Sequence, residues 1–291
     1  MQGLIVLNKP KGITSFGAIA ALRKLTGQKR IGHTGTLDPL ASGVLICLIG
    51  RPCVLSDFIM HSEKSYIASI TLGYATDSYD VTGQITSKSD IKISKEQLLK
   101  VLSQFLGESL QLPPMFSAKK SDGKRLYELA REGKIIERTP NKIFIKKLDL
   151  LSFDGKKAEI SVTCSKGTYI RSLVHDIGLK LGSFATMTEL ERISNGPFNI
   201  ENAVALEELN ENNIENYIIN PEVALLNYKK IEVTEKQATR FYNGGELDIS
   251  RLKFDNISFD EIVRVNFNGK FIGMGKLTPL ALKVICPINK P

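Results

Sequence analysis

From Gly32 to Leu45 the chain reads GHTGTLDPLASGVL. Three glycines, two threonines and a proline there predict a tight, irregular loop, and the loop offers one carboxylate, Asp38, between Leu37 and Pro39. An Asp before a Pro is most often spent on an Asx-turn or on capping the element that follows. The charge around this one favours a different use. Six basic residues (Lys9, Lys11, Arg23, Lys24, Lys29, Arg30) and no acid precede it, and the apolar run Val44–Ile49 seats the loop against a core. A carboxylate held in that setting could act as nucleophile or base on an RNA substrate.

Other chemistries find no footing. GxxxxGK[ST] and GxSxG do not occur, and Gly273-Met-Gly275 fits neither a phosphate loop nor a dinucleotide fingerprint. His33, His61 and His175 lack metal spacing, and Cys47, Cys53, Cys164 and Cys286 form no CxxC pair. The expectation is an enzyme with no metal and no cofactor, in a reducing cytoplasm. The longest apolar run, Val44–Ile49, is far short of the roughly 20 residues of a bilayer span. The N-terminus shows no signal peptide, so no membrane association is expected.

Thirty-nine Lys and Arg against thirty-one Asp and Glu leave +8, and the charges are segregated. Residues 117–147 hold ten basic and four acidic side chains, whereas 201–228 hold six Glu and no Lys or Arg. That pattern points to an anionic partner such as nucleic acid.

The elements that must position Asp38 read as mixed α and β. Ser15 is placed at an N-cap, with Phe16, Ile19, Leu22 and Leu25 at helical spacing and Gly27 as the stop. Lys64 to Leu72 alternates as a half-buried strand, and Ser94-x-x-Gln97 opens a helix with a capping box. Ile143–Leu151 and Ala158–Cys164 read as a hairpin, and Tyr169, Leu173, Ile177 and Leu181 mark a helix ending at Gly182. Strand follows strand more often than βαβ units occur, which predicts an α+β fold with an antiparallel-rich mixed sheet and flanking helices. Residues 115–140 form a basic insertion carrying a short helix. The charge change near Tyr228 divides a domain 1–228 from a small all-β module, 229–291, with an Asn268-Gly269 hairpin turn.

The residues around Asp38 resemble the active-site motif of the TruB family of tRNA pseudouridine-55 synthases. Four further stretches agree in order. They are Asn8-Lys-Pro-Lys-Gly12 with Thr14-Ser15; Lys64-Ser-Tyr66 with Thr76-Asp-Ser-Tyr-Asp-Val-Thr-Gly83; Pro113-Pro-Met-Phe-Ser-Ala-Lys-Lys on to Tyr127; and Cys164-Ser-Lys-Gly-Thr-Tyr-Ile-Arg-Ser-Leu173 on to Gly178. The resemblance implies a pseudouridine synthase-like fold with a PUA-like β-barrel at the C-terminus. It implies an isomerase that flips a T-loop uridine, position 55 of tRNA, breaks its C–N glycosidic bond and rejoins the uracil through carbon. Asp38 would be the catalytic nucleophile or base, Arg171 its partner, and Tyr66 the ring that stacks on the uracil and helps move the C5 proton. Tyr169 and Leu190 would line the uracil pocket, and His33 would fill the place vacated by the flipped stretch. Lys9, Lys119, Lys120, Lys124 and Arg125 would hold RNA backbone. The partner implied is the tRNA T arm, with no obligate protein partner, and the chain is expected to act as a monomer. Two positions depart from the family pattern: Thr186 replaces a usual His and Glu191 a usual Arg. A tRNA-binding or tRNA-folding protein that does not depend on catalysis is the alternative reading.

Overall fold

In the computed structural model the described positions are 1–289 apart from 118, 122 and 135, with backbone alone at 120, 121, 124, 125, 127 and 131. Strand β1 (Gly3–Lys9) leads through α1 (Ser15–Thr26) to β2 (Ile31–His33) and β3 (Ser42–Ile49). After α2 (Ser56–Met60) come β4 (Lys64–Leu72), the ribbon of β5 (Tyr74–Thr76) and β6 (Ile85–Lys88), α3 (Lys95–Ser103) and β7 (Gly107–Gln111). The basic insertion holds β8 (Lys120–Ser121), β9 (Lys124–Arg125) and α4 (Leu126–Arg131). Next are β10 (Asn141–Phe153), β11 (Lys157–Cys164), α5 (Ile170–Leu181), β12 (Ala185–Asn195), β13 (Phe198–Asn199) and β14 (Val204–Ala205). The last stretch gives β15 (Lys230–Glu232), α6 (Glu235–Tyr242), β16 (Leu247–Asp248), β17 (Ile262–Phe267), β18 (Lys270–Leu277) and β19 (Ala281–Pro287).

The large sheet has the order β14-β1-β3-β12-β4-β11-β10-β7, with β2 and β13 at its margins. Its pairs are antiparallel except β1 with β14 and β3 with β12. Alternation decides which face each side chain takes. Ile5 and Leu7, Leu45 and Cys47, and Tyr66, Ala68 and Ile70 share one face with Ala18 and Leu22 of α1, Leu98 of α3 and Val174 and Ile177 of α5. Leu4 and Val6, Val44, Ile46 and Leu48 lie on the other face.

The C-terminal sheet has the order β15-β17-β18-β19-β16, so β15 and β16 are its two ends and do not pair among the described residues. The Asn268-Gly269 turn is as expected, with φ of 48° and 73°. Phe271, Met274, Cys286 and Ile288 of this sheet join the core on the second face of the large sheet. Ile231, Phe241, Val263, Val265 and Leu282 make a core of its own.

Three local expectations shift. The N-cap of α1 is Thr14, whose hydroxyl accepts from Gly17 N at 2.8 Å, rather than Ser15. Ser15 is buried, and Phe16, placed by spacing on the apolar face, is 67% exposed. β12 was not read from the sequence, because Thr188, Glu189 and Glu191 break its apolar alternation. It nonetheless runs through the middle of the sheet, and its approach to β3 requires Gly43. A Cβ there would lie 2.3 Å from the Arg192 carbonyl oxygen, and φ is +104°.

Candidate active site

The loop bearing Asp38 joins β2 to β3 and is clamped on both sides of the carboxylate. Leu37 is buried, and the Ser15 hydroxyl donates to its carbonyl at 3.0 Å and accepts from its N–H at 2.8 Å. Beyond Asp38, Gly12 N donates to Pro39 O at 2.7 Å and Ala41 N to Asp38 O at 3.1 Å. A Ser at position 15 is therefore spent on the loop rather than on the helix it opens.

Asp38 has about a third of its side chain exposed, and its Oδ2 lies 2.8 Å from Nε of Arg171, whose side chain is 5% exposed. Arg171 stands in the first turn of α5 and divides its other donors between two loops. Nη1 donates to Ser78 O at 3.1 Å and lies 3.6 Å from Asp80 Oδ2, and Nη2 donates to Phe116 O at 2.8 Å. Asp80 is buried, and its Oδ1 accepts from Ser78 Oγ, Thr82 N and Thr82 Oγ1. Tyr79 holds φ of +65° with its ring stacked on His175 at 3.9 Å, a second tie between this loop and α5. The buried guanidinium gives the partly exposed Asp38 carboxylate a charge-assisted and directional hydrogen bond.

The start of α5 is fixed from β7. Gln111, itself buried, donates from Nε2 to Tyr169 O at 3.0 Å and accepts from Tyr169 N at 2.8 Å, and Ser172 Oγ donates to Leu112 O at 2.8 Å. Tyr169 is the N-cap residue, and burial pushes its phenol up against the opposing effect of Ser117. Tyr66 lies on the buried face of β4, opposite Val162 on one side and Arg192 on the other. Burial pushes its phenol up, with the Arg192 charge opposing. Leu190 lies opposite Ala68, is 8% exposed and belongs to the same core as Tyr66.

Arg192, Asp80, Gln111 and Ser15 are not among the site residues expected from the sequence, where Ser15 is only a cap. Arg192 is almost wholly buried and donates from Nε to Val44 O at 2.7 Å and from Nη2 to Gly35 O at 3.1 Å, so it bridges β12, β3 and the Asp38 loop. Its alternation with Leu190 put it on the Tyr66 side, and that was the available signal. Of the two departures, Thr186 is buried and donates to Tyr74 O at 2.8 Å, whereas Glu191 is half-buried, opposite Ile67 of β4.

The expected RNA contacts divide. Lys9 is corrected. It is fully buried, with Nζ donating to Pro10 O and Ile13 O at 2.8 Å each, and burial lowers its pKa to about 8 while the Asp38 charge opposes. It braces the turn that holds Pro39 and offers no open surface to a phosphate. Lys119 turns inward to Thr139 O at 2.8 Å and Asn141 Oδ1 at 2.7 Å. The side chains of Lys120, Lys124 and Arg125 lie outside the described residues. His33 is half-buried on β2; burial pushes its pKa down, and its Nδ1 has no partner among the described residues.

Comparison with known proteins shows the family of the chain. Residues 23–170 match the family model described as TruB family pseudouridylate synthase (N terminal domain). Residues 171–225 match the tRNA pseudouridylate synthase B C-terminal domain. The chain is 44% identical over 286 residues to tRNA pseudouridine synthase B of Clostridium tetani, covering 98% of this chain and 99% of that one. Against the enzyme of the same name from Clostridioides difficile it is 40% identical, covering 96% and 95%. Among solved structures, a Cbf5-Nop10-Gar1 complex is 25% identical with a TM-score of 0.78, covering 99% of this chain and 85% of that one. An H/ACA RNP bound to a substrate RNA containing 2'-deoxyuridine is 23% identical with a TM-score of 0.77 and the same coverage.

Proposed function

This chain belongs to the TruB family of pseudouridylate synthases and is an isomerase that converts uridine to pseudouridine in tRNA; we propose that its target is position 55 of the T loop and that Asp38 opens the glycosidic bond. The observation that carries the assignment is the Asp38–Arg171 pair at 2.8 Å, a partly exposed carboxylate oriented by a buried guanidinium. The reaction redistributes atoms within one nucleotide. The C1′–N1 bond breaks, the uracil turns, a C1′–C5 bond forms, and C5 loses the proton that N1 regains. A stacked uridine hides both reacting carbons, so the base must leave the helix first.

In this reading Asp38 attacks C1′ or removes the C2′ proton, and Arg171 holds it at the angle either step needs. Tyr66 lies under the uracil. Its buried hydroxyl stays a neutral phenol near pH 7, which suits it to stacking and to relaying the C5 proton once the new C–C bond has made that proton acidic. Tyr169 and Leu190 wall the uracil, and His33 faces the vacated stack. The basic insertion and the 229–291 module, PUA-like in our reading, hold the T arm through its phosphates, giving salt-dependent affinity. The change of sheet at Lys230 supports a division between 1–228 and 229–291. No described helix is long and apolar enough to cross a membrane, and the four cysteines are free thiols, in keeping with the cytoplasmic location we propose.

The test is pseudouridine formation on an unmodified T-arm stem-loop by wild type and Asp38→Asn. We expect product from wild type alone, with RNA affinity retained in the variant to within about threefold. Product from Asp38→Asn at more than about a thousandth of the wild-type rate would remove Asp38 from the chemistry.

A further inference from the structure

Beside the catalytic loop, one large aromatic ring stands in solvent. Phe16 is 67% exposed, although the neighbouring residues Ser15, Ala18 and Ile19 are buried. Its backbone is fixed relative to the loop, since the Ser15 hydroxyl holds both the N–H and the carbonyl of Leu37. Two turns along α1, the guanidinium carbon of Arg23 lies 5.7 Å from the ring centroid. Arg23 is anchored by Nη2 donating to Ile31 O at 3.2 Å, and its buried Nε has no acceptor among the described residues. No acid occurs before Asp38 in the sequence, so nothing in this stretch of chain neutralises the cation.

We propose that Phe16, backed by Arg23, is a stacking platform for an unpaired base of the substrate RNA, one displaced when the target uridine is drawn toward Asp38; this rests on the function proposed above. Base recognition accounts for the features together. An isolated ring gives a nucleobase a sequence-tolerant face, and an arginine beside it adds cation–π attraction to the stack. Neighbours along the chain and along the clamped loop are polar and exposed, among them Lys11, Thr14 and Thr36, which suits a nucleotide better than a wide apolar protein surface. The run of positive charge from Lys11 to Arg30 would draw the RNA backbone to the same edge.

The measurement is the Kd of an unmodified T-arm stem-loop and of a plain duplex of the same stem, in the Asp38→Asn background so that RNA is not converted. Phe16→Ala should raise the stem-loop Kd about tenfold and leave the duplex within twofold, because only the loop carries unpaired bases. Phe16→Trp should bind as the parent does, while Phe16→Leu, apolar but not flat, should behave as the alanine variant. An unchanged stem-loop Kd in Phe16→Ala, parental affinity in Phe16→Leu, or equal weakening on both RNAs would each overturn the platform. Failure of wild type to form pseudouridine would instead overturn the functional reading, and the affinities would still decide for or against Phe16.

Discussion

Arg171 divides its donors among three separate stretches of chain: Asp38, the Ser78–Asp80 turn and Phe116. A two-pronged grip on Asp38 is the arrangement one would infer from an Arg–Asp pair in sequence. In the structure a single Nε–Oδ2 contact serves Asp38, and the forked end locks the two loops to α5. A lysine would supply one point charge in place of that planar set of donors. Arg171→Lys is therefore expected to lower single-turnover pseudouridine formation at least about a hundredfold with RNA affinity little changed, since loss of positioning acts on the chemical step. A rate within tenfold of wild type would mean that Asp38 is oriented by the loop clamp alone. At this scale the sequence singled out Asp38 by its loop and the charge around it, and Tyr66 and Arg171 only through their resemblance to the family's motifs. Lys9 and Arg192 were opaque. Whether a cation meets solvent or carbonyls depends on which turns fold over it, here Pro10 and Ile13 for one and Val44 and Gly35 for the other.

Among elements, those with a clean period were legible and those obeying a tertiary demand were not. Lys64–Leu72 was predicted at its observed limits, and the Ser94–Gln97 capping box forms with both of its reciprocal bonds. α1 was found but its cap was misplaced by one residue, because Thr14 and Ser15 are both good caps and only the Asp38 loop decides which hydroxyl is free. β12 was missed since Glu189 and Glu191 alternate with an inward Arg192, which satisfies itself on the carbonyls of Val44 and Gly35 and reads in sequence as a polar stretch. The contact between β12 and β3 is where an element-scale change should be felt most. Gly43→Ala combines a left-handed backbone with a Cβ driven into the Arg192 carbonyl, and it should cost about 2–6 kcal/mol of stability in urea unfolding. A loss below 1 kcal/mol would show that β12 and β3 can part without consequence.

For the molecule as a whole, the charge shift near Tyr228 lies close to the change of sheet at Lys230, where we propose that a second module begins. It did not show how deeply that module is joined to the first. Phe271 and Met274 complete a core with Leu4, Val6, Ile46 and Leu225. Arg264 reaches Glu222 at 2.8 Å with both side chains largely buried, and Arg51 donates to Tyr242 Oη at 2.6 Å. Surfaces shared in this way do not unfold separately. Calorimetry should give one transition with equal calorimetric and van't Hoff enthalpies, and two resolved transitions would show that the modules are independently stable. The sheet order has a further consequence for how the protein is made. β3 and β4 are not neighbours in the finished sheet; β12 lies between them, and the ribosome delivers it long after both. Until Asn195 has emerged, the nascent chain carries two unsatisfied strand edges side by side, the kind of surface that recruits other strands and slows closure. Synthesis therefore runs most of the way through the large sheet before its middle can be filled.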